Sequence, residues 1–187
     1  MLLGVDLHEA TIGVIGLGPI GVAVARRAQG FGMRVLGWSR SQRDVPGVER
    51  VALDTLLAQS DFVTVHVALC DETRNLIDAS ALSRMKTGAV LVNTARGGIV
   101  AESALISALQ SGAIAAAGLD VFDQEPMAPD DPLLKLENVV LAPHIGSASH
   151  ATRSRMVTLA MENLIAGLEG RHLPHTVNPQ VIRRPLP

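Results

Sequence analysis

The sequence predicts an α/β fold: a doubly wound parallel sheet with helices on both faces. Three observations carry the prediction. Apolar runs of strand length recur along the chain, stretches with helical spacing separate most of them, and the composition suits strands buried on both faces. Hydrophobic residues make up 48% of the 187 residues and aromatics only 2%, with no tyrosine. The core is therefore built largely from Val, Ile, Leu and Ala.

In chain order, Thr11 to Ile15 reads as the first strand, and Ile20, Val24, Ala25 and Ala28 give one face of the helix after it. Met33 to Trp38 is the second strand. Leu53, Leu56 and Leu57 begin a further helix, which leads to a strand over Phe62 to His66. Ala89 to Asn93 follows, then a helix carrying Leu105, Ile106 and Leu109, then strands over Ile114 to Leu119 and Val139 to Ala142. Alternation of this kind places a ligand at the carboxyl ends of the strands. The pattern then changes. Met156, Leu159, Ala160, Asn163 and Leu164 fit one amphipathic helix from about Ser149 to Gly167, with Ser147 or Ser149 as cap and Gly167 or Gly170 near the stop. Pro174, Pro179, Pro185 and Pro187 predict an extended or mobile tail. The expected organisation is a lead-in over 1–10, one dinucleotide-binding domain over 11–146, and a long helix with its tail over 147–187.

Composition narrows the function. A net charge of -2 with scattered basic residues argues against nucleic acid as a partner. Cys70 is the only cysteine, so no internal disulfide or cysteine-based zinc cluster is expected, and a buried structural thiol is its simplest role. The apolar opening Met1 to Val5 is cut short by Asp6, His8 and Glu9, too soon for a signal sequence or a membrane span. A cytoplasmic location is expected. His8, His66, His150, His172 and His175 read as structural or solvated, without metal-ligand spacing, and no metal site is expected.

Gly16-Leu17-Gly18-Pro19-Ile20-Gly21 lies directly after a predicted strand and directly before a predicted helix. The first glycine permits a tight turn, the second lets the backbone approach a pyrophosphate, and the third allows close helix-to-strand packing. This is a Rossmann-type dinucleotide site, with Gly16, Gly18, Pro19, Ile20 and Gly21 at the cofactor. Where an acid would bind the ribose 2′-hydroxyl of NAD, the chain has Trp38-Ser39-Arg40-Ser41-Gln42-Arg43, with no acid before Asp44. Arg40 suits a 2′-phosphate, with Ser39 or Ser41 as donors. NADP is therefore preferred, with NAD possible.

Three islands follow in order: Asn93 to Gly98, Asp123 to Pro126, and Ala142 to Gly146. Reducing a 2-oxo acid requires a cation to hold its carboxylate and polarise its ketone, and an acid to protonate the oxygen. Arg96 offers a planar fork for the first task. His144 suits the second, and Glu125 supplies a carboxylate to orient and charge the imidazole.

The fingerprint, the Asn93 to Gly98 island, Gly118-Leu119-Asp120-Val121-Phe122 running into Glu125-Pro126, and Pro143-His144-Ile145-Gly146 together resemble the D-isomer-specific 2-hydroxyacid dehydrogenase family. The match is to its nucleotide-binding domain, from about Thr11 to the Val177-Asn178-Pro179 tail. The missing acid after the second strand and Gly146-Ser147-Ala148-Ser149 look most like its glyoxylate and hydroxypyruvate reductase branch. The resemblance implies Arg96 as the substrate-binding arginine, Glu125 as the histidine's partner and His144 as the proton donor. It places Asp120 beside the nicotinamide carboxamide, with Thr94 and Ala95 lining the cofactor. It sets Val67, Ala68 and Leu69 over the adenosine side with Thr73 nearby, and adds Gly146 to the cofactor set. Ala68 departs from the family's usual proline.

The expected function is hydride transfer between NAD(P)H and a small 2-oxo or 2-hydroxy acid. Only fifteen residues precede the fingerprint, so the reading is a single nucleotide-binding domain with most of the family's substrate domain absent. Catalysis is then expected to suffer more than cofactor binding. The family commonly dimerises through this domain, so a homodimer is expected. The competing expectation is a non-catalytic dinucleotide-binding module that controls assembly, as in the family's corepressor relatives.

Overall fold

Seven parallel strands form one sheet in the order β3-β2-β1-β4-β5-β6-β7. The computed structural model describes residues 4–41 and 43–181, so the first residues of the apolar opening and Pro185 and Pro187 of the tail lie outside the described residues. Strand β1 is Thr11–Ile15, and α1, Pro19–Gly30, carries the chain to β2, Arg34–Trp38. A two-residue strand β3, Glu49–Arg50, and α2, Leu53–Gln59, precede the return to β4, Phe62–Val65, beside β1. Helix α3 (Ala79–Arg84), β5 (Val90–Asn93), α4 (Glu102–Ser111), β6 (Ala116–Leu119) and β7 (Val139–Leu141) then extend the sheet in one direction. The direction of winding reverses between β1 and β4, which opens a crevice at their carboxyl ends.

Successive strand residues point to opposite faces, and here both faces are covered. Val14 packs with Ala25, Ala28 and Val35, whereas its neighbour Ile15 packs with Leu36, Leu57 and Val65. Close packing demands glycine at two points. A Cβ on Gly21 would lie 1.8 Å from the Gly16 carbonyl oxygen, and one on Gly13 would lie 2.3 Å from Leu56 Cδ2. These absences let α1 and α2 sit tightly against β1.

Several expectations are corrected. Ile20 is 67% exposed, so the buried face of α1 is Gly21, Ala25 and Ala28; Ile20 sits in the first turn, at the crevice rather than over the sheet. Strand β3 and helix α3 had no apolar periodicity to announce them. Cys70 is only partly buried, because the loop that carries it runs along the crevice rim.

Asp61 ties the amino end of the sheet together. Its Oδ2 accepts from Thr11 N at 2.8 Å and its Oδ1 from Lys86 Nζ at 2.7 Å. Burial alone would raise its pKa, but the Lys86 and Thr11 hydrogen bonds and the Lys86 charge hold it below the ordinary value. A depressed carboxyl contributes stability above the unfolded Asp pKa of about 3.9 and loses it as pH falls through the lowered folded value. Asp61→Asn is expected to cost about 1 kcal/mol in urea unfolding at neutral pH, with the difference shrinking in acid. Equal stability at neutral pH would contradict this.

The chain divides into two compact units, Met1–His144 and Ile145–Pro187. In the second, α5 spans His150–Leu168, with Ser149 Oγ accepting from Thr152 N as its cap. Leu159 and Asn163 are half-buried and Ala166 is buried, whereas Met156 and Leu164 are exposed. The tail is not freely extended over its described part. Asn163 and His175 exchange hydrogen bonds of 2.9 Å, His175 Nε2 lies 2.6 Å from Glu162 Oε2, and Pro179–Val181 forms a 3-10 turn. No helix among the described residues is long and apolar enough to cross a membrane.

Candidate active site

The crevice begins where β1 ends. Gly16, at φ +103°, turns the chain so tightly that a Cβ there would lie 2.7 Å from the His66 backbone. Gly18 caps α1 with open space where its Cβ would stand, and Pro19 occupies the first helical position, whose missing N–H costs nothing there. No side chain caps this helix end, so its first-turn amides are available to an anion.

A cavity of about 500 Å³ lies beside this turn, lined by Gly16, Gly18, Ser39, Arg40, Ser41, Val67, Ala68 and Thr73 among others. A second cavity, about 590 Å³, shares His66, Val67 and Ala68 with it and continues past Ile20 and Leu69 to Thr94, Ala95 and Arg96. Together they trace a path along the strand ends from Arg40 to Arg96. The open position at Gly18, the uncapped helix and this elongated channel fit a dinucleotide.

Several of the expected cofactor residues also hold structural contacts of their own. The Ser39 hydroxyl donates to Ser41 O at 2.8 Å, and Thr73 Oγ1 donates to Ala68 O at 2.6 Å; both shape their own loops. Asp120, at the end of β6, is 7% exposed. Gly146 belongs to the second unit, and Pro19 holds the helix start without lining either cavity.

Four contributors escaped the sequence reading. Arg50 donates to the carbonyls of Ser39, Ser41 and Arg43 at 3.1–3.4 Å, fixing the loop that bears Arg40. Glu72 pairs with Arg40 across the first cavity. His66 lines both cavities with Nε2 2.9 Å from Thr64 Oγ1, and its burial lowers its pKa. Glu102 accepts from Asp123 N at 3.3 Å and is raised in pKa by burial and by the charges of Asp123 and Asp131, against the Asp123 hydrogen bond.

The catalytic islands converge on adjoining loops. Asn93 is 1% exposed; its Nδ2 donates to Arg96 O at 2.8 Å and its Oδ1 accepts from Ala95 N at 3.0 Å. This clip sets the turn from which Arg96 projects, with Nη1 resting on Ala95 O. Gly97 follows because the loop runs against the next island: a Cβ there would lie 2.0–2.5 Å from backbone atoms of Phe122 and Asp123. Glu125, before a cis bond to Pro126, accepts from Phe122 N at 3.1 Å through Oε1 and faces His144 Nδ1 at 2.8 Å through Oε2. His144 adopts φ +53°, left-handed backbone that costs a non-glycine residue about 1–3 kcal/mol and gathers at functional sites.

The hydrogen bond from His144 does most to hold Glu125 below the ordinary carboxylate pKa, followed by Phe122 N and by the charges of His144 and Arg96. An ionised carboxylate only accepts, so Nδ1 carries the shared hydrogen. His144 and Glu125 also border an apolar cavity of about 540 Å³ with Phe122, Met127, Leu134 and Leu141. Arg96 does not line that cavity, yet its charge reaches Glu125.

The chain is similar in sequence and fold to several known proteins. A glyoxylate reductase of Korarchaeum cryptofilum is 55% identical over 187 residues, covering 98% of this chain and 56% of that protein. A glyoxylate/hydroxypyruvate reductase B of Yersinia enterocolitica is 50% identical over 97% of this chain and 57% of its own length. The TT0316 protein from Thermus thermophilus superposes with a TM-score of 0.90 at 48% identity, over 94% of this chain and 56% of that one. An acyclic imino acid reductase in complex with NADPH and D-Arg matches at a TM-score of 0.82 and 36% identity, over 89% and 53%. The chain thus spans about half the length of the relatives it matches. Residues 1–146 match the family described as D-isomer specific 2-hydroxyacid dehydrogenase, NAD binding domain, and with its fold and its loops in accord the chain belongs to that family.

Proposed function

We propose that the chain is the cofactor-binding, catalytic-residue-bearing part of an NADP-preferring oxidoreductase acting on small 2-oxo or 2-hydroxy acids, of the glyoxylate or hydroxypyruvate type. The observation that carries this is the 2.8 Å contact of His144 Nδ1 with Glu125, within reach of the Arg96 charge. A module that only bound a dinucleotide would have no use for a histidine–carboxylate pair beside an arginine.

The bound nicotinamide supplies the hydride. Arg96 holds the substrate carboxylate through its guanidinium fork and draws charge toward the ketone oxygen. His144 donates the proton to that oxygen from Nε2, and Glu125 stabilises the imidazolium before transfer and keeps the ring aligned. In the oxidative direction His144 Nε2 accepts the proton from the substrate hydroxyl. The names of the Korarchaeum and Yersinia relatives support the substrate class.

Preference for NADP rests on Arg40 and Arg43 in the cavity beyond β2 and on the absence of an acid at the end of that strand. In parallel titrations NADPH binds at least several-fold more tightly than NADH. Tighter binding of NADH would overturn the assignment of Arg40. Self-association as a homodimer follows from exposed Met156, Val157, Met161, Leu164, Ile165 and Leu168 on α5. A clean monomer by light scattering would contradict that.

A further inference from the structure

Arg40 already has a partner. Its Nη1 lies 3.8 Å from Oε2 of Glu72, and the two line one cavity with Ser39, Ser41 and Arg43. They come from facing loops, one after β2 and the other after β4, and both loops are fixed beneath them. Arg50 holds the Arg40 loop through three backbone carbonyls. The turn before Glu72 is closed by Thr73, whose Oγ1 donates to Ala68 O at 2.6 Å and accepts from Cys70 N at 2.9 Å, while Thr73 N and Arg74 N both bond to Cys70 O. These bonds fix the backbone from which Glu72 reaches the cavity. A hydrogen bond with the Cys70 side chain, a backbone bond and the Arg40 charge hold its pKa below the ordinary value, so it is an anion at neutral pH.

We infer that Glu72 is a specificity-determining residue of the adenosine-ribose subsite, weakening the hold on a 2′-phosphate by pairing with Arg40. The inference rests on the cofactor reading proposed above. A 2′-phosphate held by the Arg40 guanidinium enters with close to two negative charges, so it competes with Glu72 for that guanidinium and lies near a like-charged carboxylate. A ribose 2′-hydroxyl does neither and can donate a hydrogen bond to a carboxylate. Glu72 thus narrows the gap between NADPH and NADH that Arg40 opens. Both side chains are largely exposed, so the effect is moderate and screened by salt.

Isothermal titration of the full chain with NADPH, NADH, adenosine 2′,5′-bisphosphate and 5′-AMP tests this. Glu72→Gln is expected to tighten NADPH and the bisphosphate about five- to tenfold at low salt, and to leave NADH and 5′-AMP within about twofold. In the Arg40→Gln background the same substitution is expected to change NADPH affinity by less than about threefold. An equal change for the phosphorylated and unphosphorylated ligands, no change for either, or a full effect without Arg40 would overturn the inference. Tight NADPH binding that Glu72→Gln leaves unaltered overturns it alone. Binding of no dinucleotide by either protein overturns the cofactor reading and the inference together.

Discussion

Replacing His144 with glutamine is expected to lower kcat for the proposed NADPH-dependent reduction of glyoxylate by about 10²- to 10⁴-fold and to leave NADPH affinity within about twofold. Glutamine retains a polar side chain on the loop but cannot carry a transferable proton at neutral pH. NADPH affinity is spared because His144 borders the apolar cavity, not the two cavities that trace the dinucleotide path. Steady-state kinetics and a binding titration separate the two outcomes. Equal losses of kcat and affinity would mean that His144 supports the loops rather than the chemistry.

Glu125→Gln carries the same argument one step further. The hydrogen bond with His144, the Phe122 amide and the charges of His144 and Arg96 keep Glu125 ionised, so it presents a charged acceptor that fixes the ring through Nδ1. Without that charged anchor, kcat for the proposed reduction is expected to fall by about tenfold or more. An unchanged kcat would show that Glu125 does not position the ring for chemistry.

The second large effect comes from backbone spacing. Gly97→Ala places a Cβ 2.0 Å from Phe122 C, 2.1 Å from Phe122 O and 2.5 Å from Asp123 N. All three are backbone atoms, so no side-chain rotation relieves the clash, and the loop bearing Arg96 must move away from the loop bearing Glu125. The expected cost is about 1–3 kcal/mol in stability and about 10²-fold in kcat/KM, the penalty for misplacing reacting groups by roughly 1 Å. Gly98→Ala is the control. Its Cβ would meet Arg74 Nη1 at 3.1 Å, the movable end of a long side chain, and activity is expected within about tenfold of the parent. Equal behaviour of the two variants would show that the interlocked loops do not set the catalytic geometry.

Positions where backbone geometry forces the residue choice were legible from sequence. Gly16, Gly18 and Gly21 announce their turn because only glycine permits the positive φ at Gly16 and the contact of Gly21 with the Gly16 carbonyl. Buried strands announce themselves because β1, β2 and β4 are apolar on both faces. Glu49 and Arg50, by contrast, are exposed and only two residues long as a strand, so their pairing with β2 arises from tertiary context that no local pattern records. Helix α3 has six residues with two serines among them, and only the cap at Asp78, which accepts from Ala81 N, marked its start.

The same distinction applies to the site. Arg96, Glu125 and His144 lie in glycine- and proline-flanked islands whose order suggests chemistry. Arg50 and Glu72 are single charges on the surface, and from sequence they look like any solvated Arg or Glu. Their roles come from what faces them: three carbonyls in one case and Arg40 in the other. Helical spacing puts Ile20 on the buried face of α1 and the glycine fingerprint puts it at the cofactor; it is exposed and lines the path toward Arg96, so only the helical spacing misleads.

In the proposed function these loops arrange direct hydride transfer from a bound nicotinamide to a 2-oxo acid. NADPH carrying deuterium at the transferring position of its nicotinamide ring, incubated with glyoxylate and this chain, tests it by mass spectrometry of the product. The expected product is glycolate labelled at its carbinol carbon, formed with the parent protein and reduced at least about 10²-fold with His144→Gln. Unlabelled glycolate, or labelled glycolate formed equally well by both proteins, would contradict it.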